Sequence, residues 1–161
     1  MKKFTVLILS ALLCLTAVFA AGCESGTSIP KNTFNYENGK LSFSLEKKVF
    51  SLSIDDLTVE TSKNFYSSYI NHIEDKDEIE DLFEILFTGS ENGFTFAEIA
   101  KEDSSDFASQ CAILTIDSGK KSYDFYLDKD GKKIYYIGEG TYYRADAGDF
   151  SALYGTYIMN R

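Results

Sequence analysis

The chain has 161 residues, which suits a single domain, and its 13 Phe and 11 Tyr are enough for a packed core, so wholesale disorder is excluded. With 16 Lys and Arg against 25 Asp and Glu, the formal net charge is −9. A chain this acidic repels a phosphate backbone, which argues against nucleic-acid binding.

The first 22 residues have the layout of a secretory signal peptide. Lys2 and Lys3 precede a mostly apolar segment, residues 4–19, and small residues follow at 20–22. The strongest part of the apolar segment is 14 residues long, whereas a membrane-spanning helix needs about 20 apolar residues. We therefore expect export with removal of residues 1–22, and not an uncleaved membrane anchor.

Cys23 directly follows these small residues. The sequence Ala20-Ala21-Gly22-Cys23 resembles the lipobox of bacterial prolipoproteins, with Ala20 where that family usually has Leu. The resemblance implies that the Cys23 sulfur receives a diacylglyceryl group and that cleavage occurs just before it. The product would be anchored at the extracytoplasmic face of the cell membrane, where two acyl chains give stable attachment. Ordinary secretory cleavage after Ala20 is the alternative, and it would leave a soluble protein.

Removal of the signal changes the cysteine content and the charge of the chain. The remaining 139 residues carry a net charge of −11, because two lysines and no acid are lost. Cys111 is then the one cysteine without a lipid, so no intramolecular disulfide can form. Residues 23–32 hold the lipidated Cys and a polar stretch that predicts a flexible tether, and residues 33–161 are expected to form a single domain.

The start of this domain predicts a β-hairpin. Apolar and polar residues alternate over 34–36 and 41–45, on either side of Asn38-Gly39, a pair that tolerates the positive φ angles of a type I′ turn. Further strand candidates follow at residues 50–54, 57–60 and 65–70.

Residues 75–88 predict a helix. Asp75 is placed to cap its first turn, with Glu78 three residues later, and Gly89 predicts its end. Residues 95–101 fit either one helical turn or an edge strand, and residues 102–109 predict a loop. Apolar residues at helical spacing form one stripe along the predicted helix: Ile79, Leu82, Phe83 and Leu86.

The C-terminal part predicts a β-meander and a second helix. Asp146 and Asp149 open this helix. We expect an α+β fold, in which the hairpin and the meander form an antiparallel sheet and two amphipathic helices pack on one face. The meander strands are predicted at residues 111–116, 123–127, 133–137 and 141–144. The apolar stripe of the second helix consists of Phe150, Leu153, Tyr154, Tyr157 and Ile158.

Four tyrosines on two adjacent predicted strands form a candidate binding patch: Tyr135, Tyr136, Tyr142 and Tyr143. Alternation sends one residue of each pair inward, so the outward pair would form the exposed patch. Cross-strand packing is the alternative explanation for these residues.

Motifs for catalysis and metal binding are missing from the sequence. His72 is the single His, and no nucleophile motif of the Gly-x-Ser-x-Gly type accompanies it. One His and one free Cys cannot build a His/Cys metal site, and residues 128–131 do not align with a calcium-binding EF-hand loop. We therefore predict no catalytic residue, no metal and no cofactor.

Beyond the lipobox, the order of tether, strands, acidic helix and Tyr-rich meander is similar to that of small uncharacterised lipoproteins of Gram-positive bacteria. This similarity implies no activity. We expect a non-enzymatic, membrane-anchored binding or accessory module that binds an extracytoplasmic protein, peptide or envelope component through a strand edge or the tyrosine patch. A specific variant of this hypothesis is a cationic protein or peptide attracted by the negative charge. The alternative is a cell-wall-directed hydrolase that uses two acidic residues.

Overall fold

The computed structural model describes residues 29, 31–64, 66–90, 93–100 and 107–159. The predicted signal peptide, the lipobox with Cys23 and most of the predicted tether lie outside these residues. Within the described ranges, no helix combines the length and the apolar character needed to cross a bilayer.

Strands dominate the described part of the chain. They pair antiparallel in two sheets, one with the order β3-β2-β1-β6 and one with the order β5-β4-β8-β9-β10-β11-β7. The strands are β1 (Thr33–Glu37), β2 (Lys40–Leu45), β3 (Lys48–Ser53), β4 (Thr58–Ser62), β5 (Ile70–Ile73), β6 (Phe94–Thr95), β7 (Ala97–Ile99), β8 (Ala112–Asp117), β9 (Ser122–Leu127), β10 (Lys133–Ile137) and β11 (Tyr142–Asp146).

Helical segments are few and mostly short in the described ranges. The longest, α1, has 11 residues. The segments are a 3₁₀ turn (Ile54–Asp56), α1 (Lys76–Leu86), α2 (Phe107–Gln110), and α3 (Ser151–Leu153), which continues into a π-helical turn (Tyr154–Ile158).

The N-terminal hairpin is confirmed. Asn38 and Gly39 have φ angles of 52° and 71°, as a type I′ turn requires. β1 and β2 pair from Thr33 opposite Ser44 to the last pair before this turn. A turn with positive φ at both central residues matches the right-handed twist of the two strands, so the register follows directly from the sequence.

The helix predicted over residues 75–88 is confirmed as α1. The Asp75 carboxylate accepts a hydrogen bond of 3.0 Å from the backbone N–H of Glu78. The four residues of the predicted stripe are all buried, so this face of the helix packs into the core. The acidic residues of its first turn lie where the helix dipole favours negative charge.

The α+β prediction is wrong, because the second amphipathic helix is not formed as predicted and the strands make two sheets. Asp146 ends β11, and only three residues of the segment are α-helical before the π-helical turn. The side chains of Thr61 and Asn71 both donate to the backbone oxygen of Tyr157. Contacts with β4 and β5 thus satisfy this carbonyl, while Leu153, Tyr157 and Ile158 remain buried.

The division into two sheets has its cause in aromatic packing. Phe43 of β2 approaches Phe125 of β9 edge to face, with ring centroids 5.3 Å apart. The ring of Phe50 in β3 lies against that of Tyr123 in β9, with ring centroids 4.2 Å apart. The apolar face of the hairpin therefore covers the meander, and the hairpin does not extend the meander's sheet.

Residues 95–101, left open between a helical turn and an edge strand, contain strands. β6 pairs with β1 in the four-stranded sheet, and β7 pairs with β11 in the seven-stranded sheet. Phe96 lies between them, buried, and its N–H donates to the backbone oxygen of Asn32 at 2.8 Å. The strand candidate at 65–70 is displaced, since the strand runs over Ile70–Ile73. Of the predicted loop, residues 102–106 lie outside the described ranges.

Candidate functional site

The two faces of the seven-stranded sheet have different surroundings. Alternate residues such as Val59, Leu114 and Phe125 are buried on its inner face. The intervening residues lie on the opposite face, which we call the outer face, and most of them are only partly buried. On this face, residues from neighbouring strands form one row across the sheet in register: Ser62, Ile113, Tyr126, Tyr135 and Arg144.

A groove of about 200 Å³ lies on the outer face, over β4, β8 and β9. We call it the acidic groove. Thr115 pairs with Glu60 on one neighbouring strand and with Asp124 on the other, so the two carboxylates stand on either side of it. Apolar lining comes from Ile70, Ile113 and Tyr126.

Each carboxylate of the acidic groove makes a close polar contact with a neighbouring side chain. His72 Nδ1 lies 2.9 Å from Glu60 Oε1, and the Thr115 hydroxyl donates to Asp124 Oδ1 at 2.8 Å. The side chain of Glu60 is 38% exposed, so a ligand in the groove can reach it. Burial, and next the neighbouring Asp124, raise the pKa of Tyr126, which therefore presents a neutral phenol ring.

This arrangement suits a cation. The backbones of Glu60 and Asp124 are two strand spacings apart, about 10 Å, which leaves room for a Lys or Arg side chain between them. Carboxylates make strong charge-assisted hydrogen bonds to such groups, and an aromatic ring such as Tyr126 attracts them through its face.

Exposed apolar side chains lie beside the acidic groove. Tyr66, Tyr69 and Ile70 are 76%, 50% and 44% exposed. They belong to the loop before β5 and to its first residue, and Asn64 and Ser67 of the same loop line the groove. Neighbouring exposed apolar residues with a polar rim are typical of an interaction surface.

The four tyrosines of the predicted patch divide between the two faces, as alternation predicts. Tyr136 and Tyr143 point inward and are 4% and 9% exposed. Their hydroxyls bond across the gap between the sheets, where Lys48 Nζ donates to Tyr136 at 2.8 Å and Tyr143 donates to Glu46.

Only Tyr135 and Tyr142 lie on the outer face, and both are half-buried. Tyr135 pairs directly with Tyr126 of the acidic groove. The outward pair therefore extends the aromatic lining of the groove along the sheet and does not form a separate patch.

The positions of Cys111 and His72 in the fold indicate structural roles for both residues. Cys111 is buried, and burial raises the pKa of its thiol to about 12, which keeps it protonated. His72 is exposed on β5, with Glu60 as its partner. In the described part of the chain, no three side chains of His, Cys, Asp or Glu come together as metal ligands.

Sequence reasoning missed the acidic groove. Alternation along β4 and β9 already places Glu60, Asp124 and Tyr126 on the solvent side of their strands. That signal could not show that β4 lies beside β8, because these strands are separated by about fifty residues of chain, including α1.

Comparison of the chain with protein-family models, with curated proteins and with solved structures found no match. A function must therefore be argued from the geometry of the groove and from the motif at Cys23.

Proposed function

We propose that this protein is a membrane-anchored extracytoplasmic lipoprotein that binds a cationic protein segment or peptide in the acidic groove. One observation carries the binding proposal: Glu60 and Asp124 flank Thr115 in one groove, beside the ring of Tyr126. The anchor is supported by the lipobox-like sequence that ends at Cys23.

The overall charge favours the same class of partner. The net charge of −11 that remains after removal of residues 1–22 raises the local concentration of cations around the protein and accelerates the encounter with a basic partner. The groove then supplies specificity, because it offers two carboxylates at a set spacing and one aromatic face.

An extended peptide fits this site best. Among the described strands, β5 ends the order of the seven-stranded sheet, so it presents a strand edge one strand away from β4 and the groove. A peptide that pairs with such an edge gains main-chain hydrogen bonds, and its alternate side chains reach one face of the sheet. A Lys or Arg at one of these positions would extend toward Glu60 at the near side of the acidic groove, while Tyr69 and Ile70 contact apolar neighbours.

The binding proposal can be tested with a labelled peptide of alternating Lys and Thr. The double variant Glu60→Gln/Asp124→Asn should bind it at least about tenfold more weakly, since a charge-assisted hydrogen bond contributes about 1.5–3 kcal/mol. The control variant Asp81→Asn/Glu84→Gln removes the same charge from exposed positions on α1 and should change the affinity less than about twofold. Equal weakening by both variants, or no binding by the wild type, would contradict the proposal.

The anchor is tested by mass spectrometry of the amino-terminal peptide of the native protein. A diacylglyceryl group on Cys23 is expected. Cys23→Ala should leave the protein unprocessed or release it, while Cys111→Ala should keep it at the membrane. An unmodified amino-terminal peptide would refute lipidation.

The same two carboxylates favour a second candidate, a cell-wall-directed hydrolase. Glycosidases use two carboxyl groups on opposite sides of the scissile bond, about 5–9.5 Å apart. Asp124 is exposed and Glu60 is partly exposed, so neither has the water-excluded surroundings typical of a general acid. Binding is therefore the preferred function. Release of sugar fragments from purified cell wall by the wild type, and not by Glu60→Gln, would favour the hydrolase.

A further inference from the structure

Three lysines line a concavity of about 370 Å³ on the side of the four-stranded sheet that faces β9. Lys47 and Lys48 come from the turn before β3 and its first residue, and Lys121 precedes β9. Val49, which is 60% exposed, and Tyr123 complete its apolar lining. We call this surface the lysine end; the described residues that line it include no Asp or Glu.

Acidic residues near the lysine end have partners of their own. Glu46 accepts from the hydroxyl of Tyr143, and Asp117 accepts from the N–H of Gly119 and the hydroxyl of Ser122. Glu139 lies with Glu46 in the adjoining concavity beside Lys47 and Lys48. Acidic residues therefore lie beside the lysine end in two directions, toward β11 and at Asp117 of β8, which pairs with Ser122.

Lys48 stays charged in this setting. Its ammonium donates to Tyr136 at 2.8 Å, and this hydrogen bond is the main reason that the pKa of Lys48 is raised. The same bond fixes the side chain at the rim of the interface between the sheets, so the cationic character of the lysine end is built into the fold.

The lysine end is also where the chain arrives from Cys23. Thr33, the first residue of β1, pairs with Ser44 near the end of β2. The next residue of β2, Leu45, pairs with Lys48 across the turn between β2 and β3, so β1 begins beside the lysine end. Thr33 is ten residues after Cys23. A chain of that length reaches at most about 35 Å, so a lipid on Cys23 would keep this end near the bilayer.

The opposite end of the four-stranded sheet carries charges of both signs, since Lys40 pairs with Ser53 there and Lys76 forms an ion pair with Asp55. Ile54 donates its N–H to the backbone oxygen of Gly39 in the hairpin turn, which places Asp55 and Asp56 of the 3₁₀ turn at that end. The three lysines thus concentrate positive charge at the lysine end, and an anionic surface would attract that end more strongly than the opposite one.

We propose that the lysine end docks on the headgroups of anionic phospholipid in the membrane that holds the anchor. The proposal rests on the lipid anchor of the proposed function and concerns a surface distinct from the acidic groove. Lysine stems can lie along the interface with their charges at the phosphates, and Val49 enters the headgroup layer between them. This orientation directs Asp55 and Asp56 away from the membrane.

The test uses the native lipidated protein in vesicles of phosphatidylglycerol with phosphatidylcholine, or of phosphatidylcholine alone. Lysines are acetylated with a water-soluble reagent and quantified by mass spectrometry. Acetylation of Lys47 and Lys121 should be slower by about fivefold in the anionic vesicles, the factor expected for one lysine at such a surface. Lys129 lies in the turn at the other end of β9 and should react equally in both.

A pair of charge reversals provides the matched control. In Lys47→Glu/Lys121→Glu, anionic vesicles should no longer slow the acetylation of Lys48. In the control Lys129→Glu/Lys132→Glu, anionic vesicles should still slow the acetylation of Lys48. Equal reactivity of Lys47 in both kinds of vesicle would overturn the proposal. Stronger protection by soluble polyphosphate than by phosphatidylglycerol would overturn it too, because the surface would then prefer a free polyanion.

Failure of this proposal is distinguishable from failure of the proposed function. If the amino-terminal peptide carries no lipid, the proposed anchor is refuted. If the lysines react equally in both kinds of vesicle although Cys23 carries lipid, only the docking proposal is refuted. Binding of the Lys/Thr peptide, measured on the same samples, should not be weakened by Lys47→Glu/Lys121→Glu.

Discussion

The ring of Phe34 in the four-stranded sheet lies parallel to the ring of Phe125 in the seven-stranded sheet, with centroids 4.4 Å apart and planes inclined by 6°. Both side chains are fully buried. Phe34 also contacts Phe43, Phe87 and Phe94, so one ring joins both sheets to the end of α1. Residues from the two ends of the domain thus meet at the centre of the core.

Removal of either stacked ring should therefore be costly. Phe125→Ala should lower the free energy of unfolding by about 3–5 kcal/mol, through lost burial and the cavity left behind. The double variant Phe34→Ala/Phe125→Ala should lose less than the sum by about 1 kcal/mol, since the ring contact is lost only once. Urea unfolding measures both effects. Tyr69→Ala, at a half-exposed position, is the control and should change stability by less than about 0.5 kcal/mol.

Gly131 is required by a close approach as well as by its φ angle of 70°. A Cβ at this position would lie 2.5 Å from the backbone nitrogen of Ser151, and the Gly131 oxygen accepts from the N–H of Phe150. Gly119 has a φ angle of 72° but open space around it. Gly119→Ala should cost about 1 kcal/mol from backbone strain, and Gly131→Ala should cost clearly more. Equal losses in thermal unfolding would show that the clash is relieved without cost.

Asp75 caps α1, and its contribution can be separated from that of charge. Asp75→Ala should destabilise the protein by about 1 kcal/mol, because the N–H of Glu78 loses its acceptor. Asp77→Ala removes an acid from the same turn without removing the cap and should cost less, by the helix-dipole effect alone. Chemical denaturation measures the loss in free energy of unfolding for each variant. Equal losses for Asp75→Ala and Asp77→Ala would argue against the capping hydrogen bond.

Alkaline pH should destabilise the fold through Cys111. Burial raises the pKa of its thiol from an ordinary value of 9.0 to about 12 in the folded protein. Above about pH 9 the unfolded chain therefore releases this proton first, and stability falls until the pH reaches about 12. The slope from one such group is at most about 1.4 kcal/mol per pH unit.

Cys111→Ala isolates this contribution. Burial also raises the pKa values of Tyr36 and Tyr143 from 10.0 to about 12, so their contributions are lost only at higher pH. Between about pH 9 and pH 10, the urea midpoint of the wild type should fall more steeply than that of Cys111→Ala, because the thiol contributes only to the wild type while the tyrosines begin to contribute to both proteins. Parallel curves for the two proteins would show that the thiol does not titrate differently on unfolding.

The aromatic residues that adjoin the acidic groove were indicated by the sequence, although the groove itself was not. Strand alternation sends one tyrosine of each pair outward, and the structure shows that these are Tyr135 and Tyr142. Glu60 and Asp124 were visible only as polar residues on two strands, because their proximity depends on a pairing between distant strands. The acids on α1, which attract attention in the sequence, lie elsewhere.

Local backbone preferences determined the features that the sequence alone could establish. The Asn38-Gly39 hairpin and the Asp75-capped helix each depend on a few adjacent residues, and so does the burial of alternate strand positions. Tertiary contacts decided the rest: the second sheet, the π-helical turn at Tyr154–Ile158 and the juxtaposition of Glu60 with Asp124. An apolar stripe indicates which residues are buried, but it does not indicate which surface covers them.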